Sequence, residues 1–197
     1  SKRPPPSIIV SKVVQEEFSD NIESFGTAIP KKTKTFRIEK NNLLTELNLK
    51  NYVKKGDIIL KLKDGNIIAP FSGVLGFRGI TEDVLGSENS VILTLDDSSE
   101  IFADIKIPES FAKVLKKDLP VKAKFSGTKN KIYLGKVDGV ASRVNVETRS
   151  ILTRVKIDNS NYDLIPGSLL EVTLSFNKRN SLSIPDTSVI LEGNKAY

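Results

Sequence analysis

Residues 42–64, NLLTELNLKNYVKKGDIILKLKD, and residues 73–97, GVLGFRGITEDVLGSENSVILTLDD, repeat one another. Four apolar positions match at a constant offset of 31 residues, and four more match at 33 after a short insertion. Two similar β-units in succession predict one small barrel with quasi-twofold symmetry, so the segment that joins the halves bears on function. The matched pairs are Leu43/Val74, Leu44/Leu75, Leu49/Ile80, Val53/Val84, Ile58/Val91, Ile59/Ile92, Leu60/Leu93 and Leu62/Leu95.

The composition is that of a β-rich globular protein. The 197 residues are 39% apolar and 27% charged. Val, Ile, Thr and Leu dominate the apolar set, with Gly and Pro at short intervals, which favours strands over helices. No apolar run reaches 18 residues, so no segment is predicted to span a bilayer. The net charge of +6 comes from scattered lysines without interleaved aromatic residues, so no nucleic-acid partner is expected.

The chain contains no Cys, Met, His or Trp. Without His and Cys, a Ser-His-Asp or Cys-His nucleophilic site is impossible, so no catalytic residues and no enzyme activity are predicted. Without Cys, His and Met, the usual ligands for zinc, copper and silver are missing, so no metal site and no cofactor are predicted.

The pattern along the chain predicts a mainly β, elongated, multidomain protein. The repeated halves follow the plan of a lipoyl or biotinyl domain, with an Asp64-Gly65 hairpin signal between them. A strand pattern at 101–107 follows, then one helix, Glu109 to Lys117, and then four further strand patterns at 119–125, 132–140, 151–157 and 168–176. Together they fit a six-stranded β-barrel with one short helix. The two ends of the chain are expected to pair as a third β-domain. The predicted domains are 31–97 (halves 31–64 and 65–97, joined at 64/65), 98–176, and 1–30 with 177–197.

Lipoyl and biotinyl domains carry a modified lysine at the hairpin between their halves. Lys63 lies near that place. The flanking Met-Lys-Met of biotin carriers and Asp-Lys-Ala of lipoate carriers are absent. A carrier domain is therefore a weaker alternative, and lipoate or biotin on Lys63 would establish it.

Several short motifs follow one another in order along the chain. They are APFSGVLGFR (69–78), IPE (107–109), GKVDGV (135–140), NVETRS (145–150), VKIDN (155–159), LIPGS (164–168), SIP (183–185) and SVI (188–190). This ordered set resembles the periplasmic adaptor proteins, also called membrane fusion proteins (HlyD-like), of tripartite efflux pumps. The first motif is similar to the family's APF-x-G-x-x-G-x-R run, and the second to its VPE step into the barrel.

The resemblance implies a periplasmic adaptor that links an inner-membrane transporter to an outer-membrane channel. It implies self-association into a ring, as a hexamer or a trimer of dimers. It also implies a membrane-proximal domain built from both termini, and an anchor upstream of residue 1. A multidrug transporter of the proton-driven RND class is the expected partner. An ABC-type exporter or secretion system is the alternative, and metal efflux is disfavoured by the missing soft ligands.

Seven residues are candidates for structural or assembly roles. Gly73 and Gly76 are expected to allow bends at the small-barrel crossover. Pro166-Gly167 fits a turn with positive φ at the glycine. Arg78 beside the crossover and Thr148-Arg149 in a barrel loop are candidate assembly positions.

The chain departs from the family at two points. Asn42 stands where relatives usually have glycine, and asparagine is expected to tolerate positive φ there. Asp64-Gly65 joins the halves directly, where relatives usually insert a long helical hairpin. A deleted hairpin, an omitted hairpin and a naturally hairpin-less member are all consistent with the sequence. A stand-alone carbohydrate- or peptide-binding β-protein is a further alternative.

Overall fold

The computed structural model describes residues 12–44, 51–79 and 90–183. The chain divides into two compact units. One combines the chain ends, described for residues 12–21 and 175–183, and the other is Ile22–Leu174. No helix among the described residues is long and apolar enough to cross a membrane.

Strands account for most of the described residues, which confirms the predicted mainly β fold class. Eleven strands are described. They are β1 (Val14–Thr27), β2 (Ile29–Glu39), β3 (Tyr52–Val53), β4 (Ile58–Leu62), β5 (Gly65–Ile68), β6 (Gly73–Gly79), β7 (Ser90–Pro108), β8 (Pro120–Phe125), β9 (Tyr133–Asn145), β10 (Ser150–Asp158) and β11 (Leu169–Ser183). The sheet order is β1-β11-β8-β9-β10-β7-β6-β3, with β2 also paired to β7 and with β4-β5 as a separate pair.

The two repeated halves build a single small core, as the repeat predicted. Buried residues from β3 and β4 in the first half pack with buried residues from β6 and β7 in the second. The match is closest at Leu60 and Leu93, which are both buried, and weakest at Leu44, which is exposed where Leu75 is buried. Leu49, Ile80 and Val84 of the repeat lie outside the described residues. The core comprises Ile38, Val53, Leu60, Ala69, Leu75, Val91, Leu93 and Leu95.

The halves are joined by a tight hairpin, one residue earlier than the sequence suggested. Leu62 pairs with Gly65, so the two loop residues are Lys63 and Asp64. Gly65 has φ +139, a conformation that glycine adopts without steric cost. The Asp-Gly dipeptide therefore marks the end of the turn and the start of β5.

The larger barrel is built on β7 and β10, whose residues pair without interruption from Ser150↔Pro108 to Asp158↔Glu100. Strands β9, β8 and β11 continue the sheet in that order. The Ile22–Thr27 part of β1 also packs on β7, because a Cβ at Gly26 would lie 3.1 Å from the Ala103 side chain. Ile101, Ala103, Ile105 and Ile107 of β7 are fully buried, which explains the strict alternation of that segment.

Two local predictions were wrong. The helix expected from Glu109 to Lys117 is only a 3-10 helix, Glu109–Phe111, followed by turns. A helix this short is not stable by itself, and both ends of the segment are bonded elsewhere, Glu109 N–H to the Arg149 carbonyl and Asp118 N–H to the Val137 carbonyl. Asn42 is not among the described residues with positive φ; it ends a 3-10 helix, Lys40–Asn42, and its side chain bonds Asp64.

In the unit formed by the chain ends, β1 and β11 pair. Polar and charged contacts connect the two strands there. Lys178 Nζ lies 2.6 Å from Glu17 Oε1, and Arg179 donates to Asp20 Oδ1 at 3.2 Å. The hydrogen bonds from Asn177 and Arg179 lower the pKa of Asp20.

Candidate functional site

The hairpin tip at Lys63-Asp64 is held by a third chain segment. Asn42 Nδ2 donates to Asp64 Oδ1 at 2.7 Å, and the Lys63 backbone N–H donates to the Asn42 carbonyl at 2.8 Å. Leu44 N–H donates to the Lys61 carbonyl at 3.0 Å. Lys63 is exposed, but the backbone on both sides of it is fixed, so the tip is a rigid platform.

Gly73 sits where two strands approach too closely for any other residue. A Cβ at this position would lie 2.2 Å from the Asp96 carbonyl oxygen. Gly73 was expected to allow a bend, and the structure gives a different reason for glycine, which is the close approach of β6 to β7. Arg78 lies in the same strand, where the register with β7 shifts between Phe77 and Gly79. Whether either residue takes part in assembly remains a prediction.

Gly76 does not form the backbone bend that was expected from the sequence. Its φ is not positive, and an added Cβ would meet nothing within 4 Å. Instead it faces an open groove of about 610 Å³ between β2, β6, β7 and the loop that precedes β11. We call this space the Tyr162 groove.

Pro166 and Gly167 line the Tyr162 groove together with Gly76. Ser168 N–H donates to the Ile165 carbonyl at 3.1 Å, and Gly167 has φ +90. These are the hydrogen bond and the positive φ expected of a turn with glycine at its third residue. The structure thus brings together three of the seven predicted positions on one surface.

Thr148 and Arg149 lie elsewhere, in the loop between β9 and β10. Asn145 organises this loop, because its Oδ1 accepts from Glu147 N–H at 3.0 Å and Thr148 N–H at 3.1 Å. Arg149 takes φ +52, and its carbonyl accepts from Glu109 N–H at 3.0 Å. The loop is therefore tied to the 3-10 turn that follows β7.

Asn159 is a buried side chain that sequence reasoning did not single out. It is 2% exposed. Its Nδ2 donates to the Ser98 carbonyl at 2.7 Å and to the Leu164 carbonyl at 3.0 Å. Its Oδ1 accepts from Leu164 N–H at 2.9 Å. One side chain thus fixes the loop that carries Tyr162 and Pro166.

Tyr162 and Tyr52 are two further site residues that the sequence did not indicate. Their ring centroids lie 5.5 Å apart at an interplanar angle of 59°. Burial, together with the neighbouring Tyr52 side chain, raises the pKa of Tyr162. For the strand beside them, the alternation of Thr94 and Asp96 with the buried Leu93 and Leu95 was a usable signal, since it predicts a polar face opposite the core.

The outer face of the barrel carries a bidentate ion pair. Arg154 is directly opposite Asp104 in the β10–β7 register. Its Nε donates to Oδ1 at 2.7 Å and its Nη2 donates to Oδ2 at 2.9 Å. The hydrogen bonds from Arg154 hold the pKa of Asp104 below its ordinary value.

A second depression on the barrel, of about 520 Å³, is bordered by exposed apolar side chains. Phe25, Ile132 and Leu169 are 60%, 49% and 63% exposed. Lys124 and Lys129 lie at its margin, and Lys131 there is ion-paired with Asp163. Exposed apolar groups framed by charge are typical of protein contact surfaces.

The barrel part of the chain is similar to a known protein family. Residues 100–178 match the family model described as "CusB-like, beta-barrel domain". This segment runs from within β7 to within β11, and so includes β8, β9 and β10. No curated protein matches the chain at a significant level of similarity.

Several solved structures share the fold at low sequence identity. MacA from Actinobacillus actinomycetemcomitans is 12% identical with a TM-score of 0.56, over 89% of this chain and 84% of that one. A MacA-MexA chimeric protein with the Pseudomonas aeruginosa MexA alpha-hairpin domain is 16% identical with a TM-score of 0.57, over 88% and 87%. The membrane fusion protein Spr0693 from Streptococcus pneumoniae R6 is 10% identical with a TM-score of 0.52, over 78% and 98%.

Proposed function

We propose that this chain, which has the fold of the membrane fusion and periplasmic adaptor proteins and carries a CusB-like β-barrel domain, is the adaptor subunit of a tripartite efflux pump. It would link an inner-membrane transporter to an outer-membrane channel in the periplasm and would carry out no chemistry itself. The observation that carries this proposal is the family match over residues 100–178, next to a two-half small barrel that ends in a rigid hairpin tip.

The transporter is proposed to be of the proton-driven RND class that exports drugs, with an ABC-type exporter or secretion system as the alternative. The outer domain, 1–30 with 177–197, and the barrel, 98–176, are proposed to contact it. The lipoyl-like domain, 31–97, and the barrel are proposed to pack side by side in a ring, as a hexamer or a trimer of dimers. Arg78, Thr148 and Arg149 remain candidate assembly positions.

Exposed apolar residues on the barrel support a role in protein contact. The depression at Phe25, Ile132 and Leu169 presents side chains that are each about half or more exposed. Burying apolar surface contributes about 25 cal/mol per Å², so covering such a patch would favour association.

In-cell photocross-linking tests the adaptor role. A photoreactive residue at position 169, in the depression, is expected to capture a second copy of this chain or a transporter subunit. The control is position 152, because Leu152 is 47% exposed on β10, outside the depression. Equal capture from both positions, or capture of neither partner from position 169, would count against the proposal.

Energy dependence separates the two transporter classes. Deleting the gene should raise the cellular accumulation of a fluorescent drug, and the intact chain should restore export. If export stops when the proton gradient is collapsed while ATP is maintained, the partner is proton-driven, as the proposed RND class requires, and the ABC alternative is wrong. If export stops only with vanadate, the ABC alternative is correct.

A further inference from the structure

The Tyr162 groove is larger than the depression between the strands alone. An adjacent space of about 420 Å³ is lined by Asn51, Tyr52, Val74 and Tyr162. Val74 and Tyr162 border both spaces, so the two lie side by side, and we include both in the Tyr162 groove. The volume of each part is within the few hundred to a thousand Å³ that is typical of small-molecule sites.

The floor of the groove is kept open by a missing side chain. Gly76 pairs with Thr94 in the β6–β7 register. A Cβ at Gly76 would have nothing within 4 Å, and the backbone there does not require glycine. A methyl group at position 76 would therefore fit, and a longer side chain there would project into the groove, so the absence of a side chain at Gly76 keeps the groove open.

Thr94, which pairs with Gly76 at the floor of the groove, has a hydroxyl that is unpaired within the described part of the chain. Its Oγ1 is a buried side-chain oxygen with no hydrogen-bond partner among the described residues. Burying a hydroxyl without a partner costs about 1–3 kcal/mol. Thr94 lines the groove, but this oxygen is covered, so a water bound next to it, and not a bulky ligand in the groove, would remove the cost.

The groove lining differs in charge from the chain as a whole. The protein has 30 lysines and arginines and a net charge of +6, yet none of the described residues that line the groove is basic. Asp96 supplies a carboxylate, positioned by Thr33 Oγ1, which donates to its Oδ1 at 2.7 Å. Lys32, the residue before Thr33, places its ammonium over the Phe71 ring at 5.9 Å instead.

Aromatic rings complete the surface. Tyr52 and Tyr162 stand at one end, and Phe77, which is 60% exposed, is part of the lining. The face of an aromatic ring attracts a cation placed within about 6 Å of its centre. A carboxylate, aromatic rings and apolar walls without basic residues form the combination that selects an organic cation over a neutral or anionic compound.

We propose that the Tyr162 groove binds organic cations that have a bulky aromatic or aliphatic body. The charged centre lies between Asp96 and the tyrosine pair, and the apolar body covers Gly76 and contacts the side chains around Ile165. This inference does not depend on the proposed adaptor role, and failure of the test below would leave that role intact.

Titration of the full chain with tetraphenylphosphonium tests the proposal. Tetraphenylborate is the matched probe, since it has nearly the same shape and the opposite charge. Binding is followed by calorimetry and by tyrosine fluorescence, which is informative because the chain has four tyrosines and no tryptophan. The expected result is saturable, one-site binding of the cation and no competition from the anion.

Two variants and one control locate the binding site. Gly76→Leu fills the floor and should weaken binding of the cation more than about tenfold, as expected when a bulky side chain occupies the site. Asp96→Asn keeps the acceptor for Thr33 but removes the charge, and should weaken binding about three- to tenfold. Gly139→Leu is the control, because a Cβ at Gly139 in β9 also meets nothing within 4 Å and Gly139 does not line the groove.

Three results would each overturn the proposal that the groove binds organic cations. No saturable binding of tetraphenylphosphonium by the intact chain overturns the proposal. Equal affinity in Asp96→Asn and the intact chain, or equal competition by tetraphenylborate, also overturns it. If Gly76→Leu fails to fold, judged by its circular dichroism and melting curve, Asp96→Asn with the matched anion still gives the answer.

Discussion

Replacing Gly73 by alanine should destabilise the protein severely, whereas the same replacement at Gly76 should not. Both glycines lie in β6 and both belong to the motif that resembles the adaptor family. A Cβ at Gly73 would lie 2.2 Å from the Asp96 carbonyl oxygen and 2.8 Å from its carbon. A Cβ at Gly76 would meet nothing within 4 Å.

The magnitude for Gly73→Ala follows from the contact. The obstacle is backbone, so no side chain can turn away, and β6 must separate from β7 by roughly 1 Å to reach van der Waals distance. Overpacking of this kind costs about 1–3 kcal/mol, and each weakened ladder hydrogen bond adds about 1 kcal/mol. We expect a total loss of about 2–4 kcal/mol, which for a chain of this length lowers Tm by roughly 4–16 °C.

Gly76→Ala serves as the matched control. Alanine restricts the unfolded chain more than glycine does, so this variant should be unchanged or more stable by up to about 1 kcal/mol. Urea unfolding followed by circular dichroism gives both free energies, and thermal melting gives both Tm values. Equal losses in the two variants would refute the reasoning, because the two substitutions differ only in what the new methyl group meets.

Other parts of the structure give further predictions. Asn159→Ala leaves three buried backbone groups without partners and should cost about 3 kcal/mol; a urea midpoint close to that of the intact chain would contradict this. Because Arg154 lowers the pKa of Asp104, the pair stabilises the protein above the ordinary pKa of aspartate and loses its contribution as pH falls through the lowered value. Asp104→Asn should therefore cost about 0.5–1 kcal/mol at pH 7 and progressively less as pH falls below the ordinary pKa of aspartate, which urea melts at a series of pH values will show. Gly135→Ala places a Cβ 2.2 Å from the Lys156 carbonyl oxygen and should lower Tm by several degrees, with Gly139→Ala as its neutral counterpart.

The sequence was sufficient to predict strands and turns that depend only on nearby residues. The strands predicted at 119–125 and 151–157 agree within one residue with β8 and β10, whereas β7, β9 and β11 extend well beyond the predicted 101–107, 132–140 and 168–176. Pro166-Gly167 turns with positive φ at glycine as expected. These features depend on period-2 burial and on the few residues that permit a given turn, both of which are visible in a short window.

The sequence failed where a neighbouring segment overrides a local preference. Helix-compatible residues after Pro108 form one 3-10 turn, because so short a helix is not stable by itself and both ends of the segment are bonded to other parts of the sheet. Asn42 was expected to act through its backbone and instead acts through its amide, which reaches Asp64 across 22 residues of chain. Its partner could not be known before the hairpin was folded against it.

The sequence by itself determined the two-half small barrel, the strands of the larger barrel and the resemblance to adaptor proteins, because these depend on burial periodicity and on ordered motifs. Only the tertiary structure decided what the glycines of that motif do. Gly73 and Gly76 are equivalent in the motif, but a Cβ at Gly73 would collide with the Asp96 carbonyl, whereas a Cβ at Gly76 would contact nothing. The same holds for Tyr52 and Tyr162, which are distant in sequence and meet at 5.5 Å. Distances between strands set these roles, and no single segment of the chain contains that information.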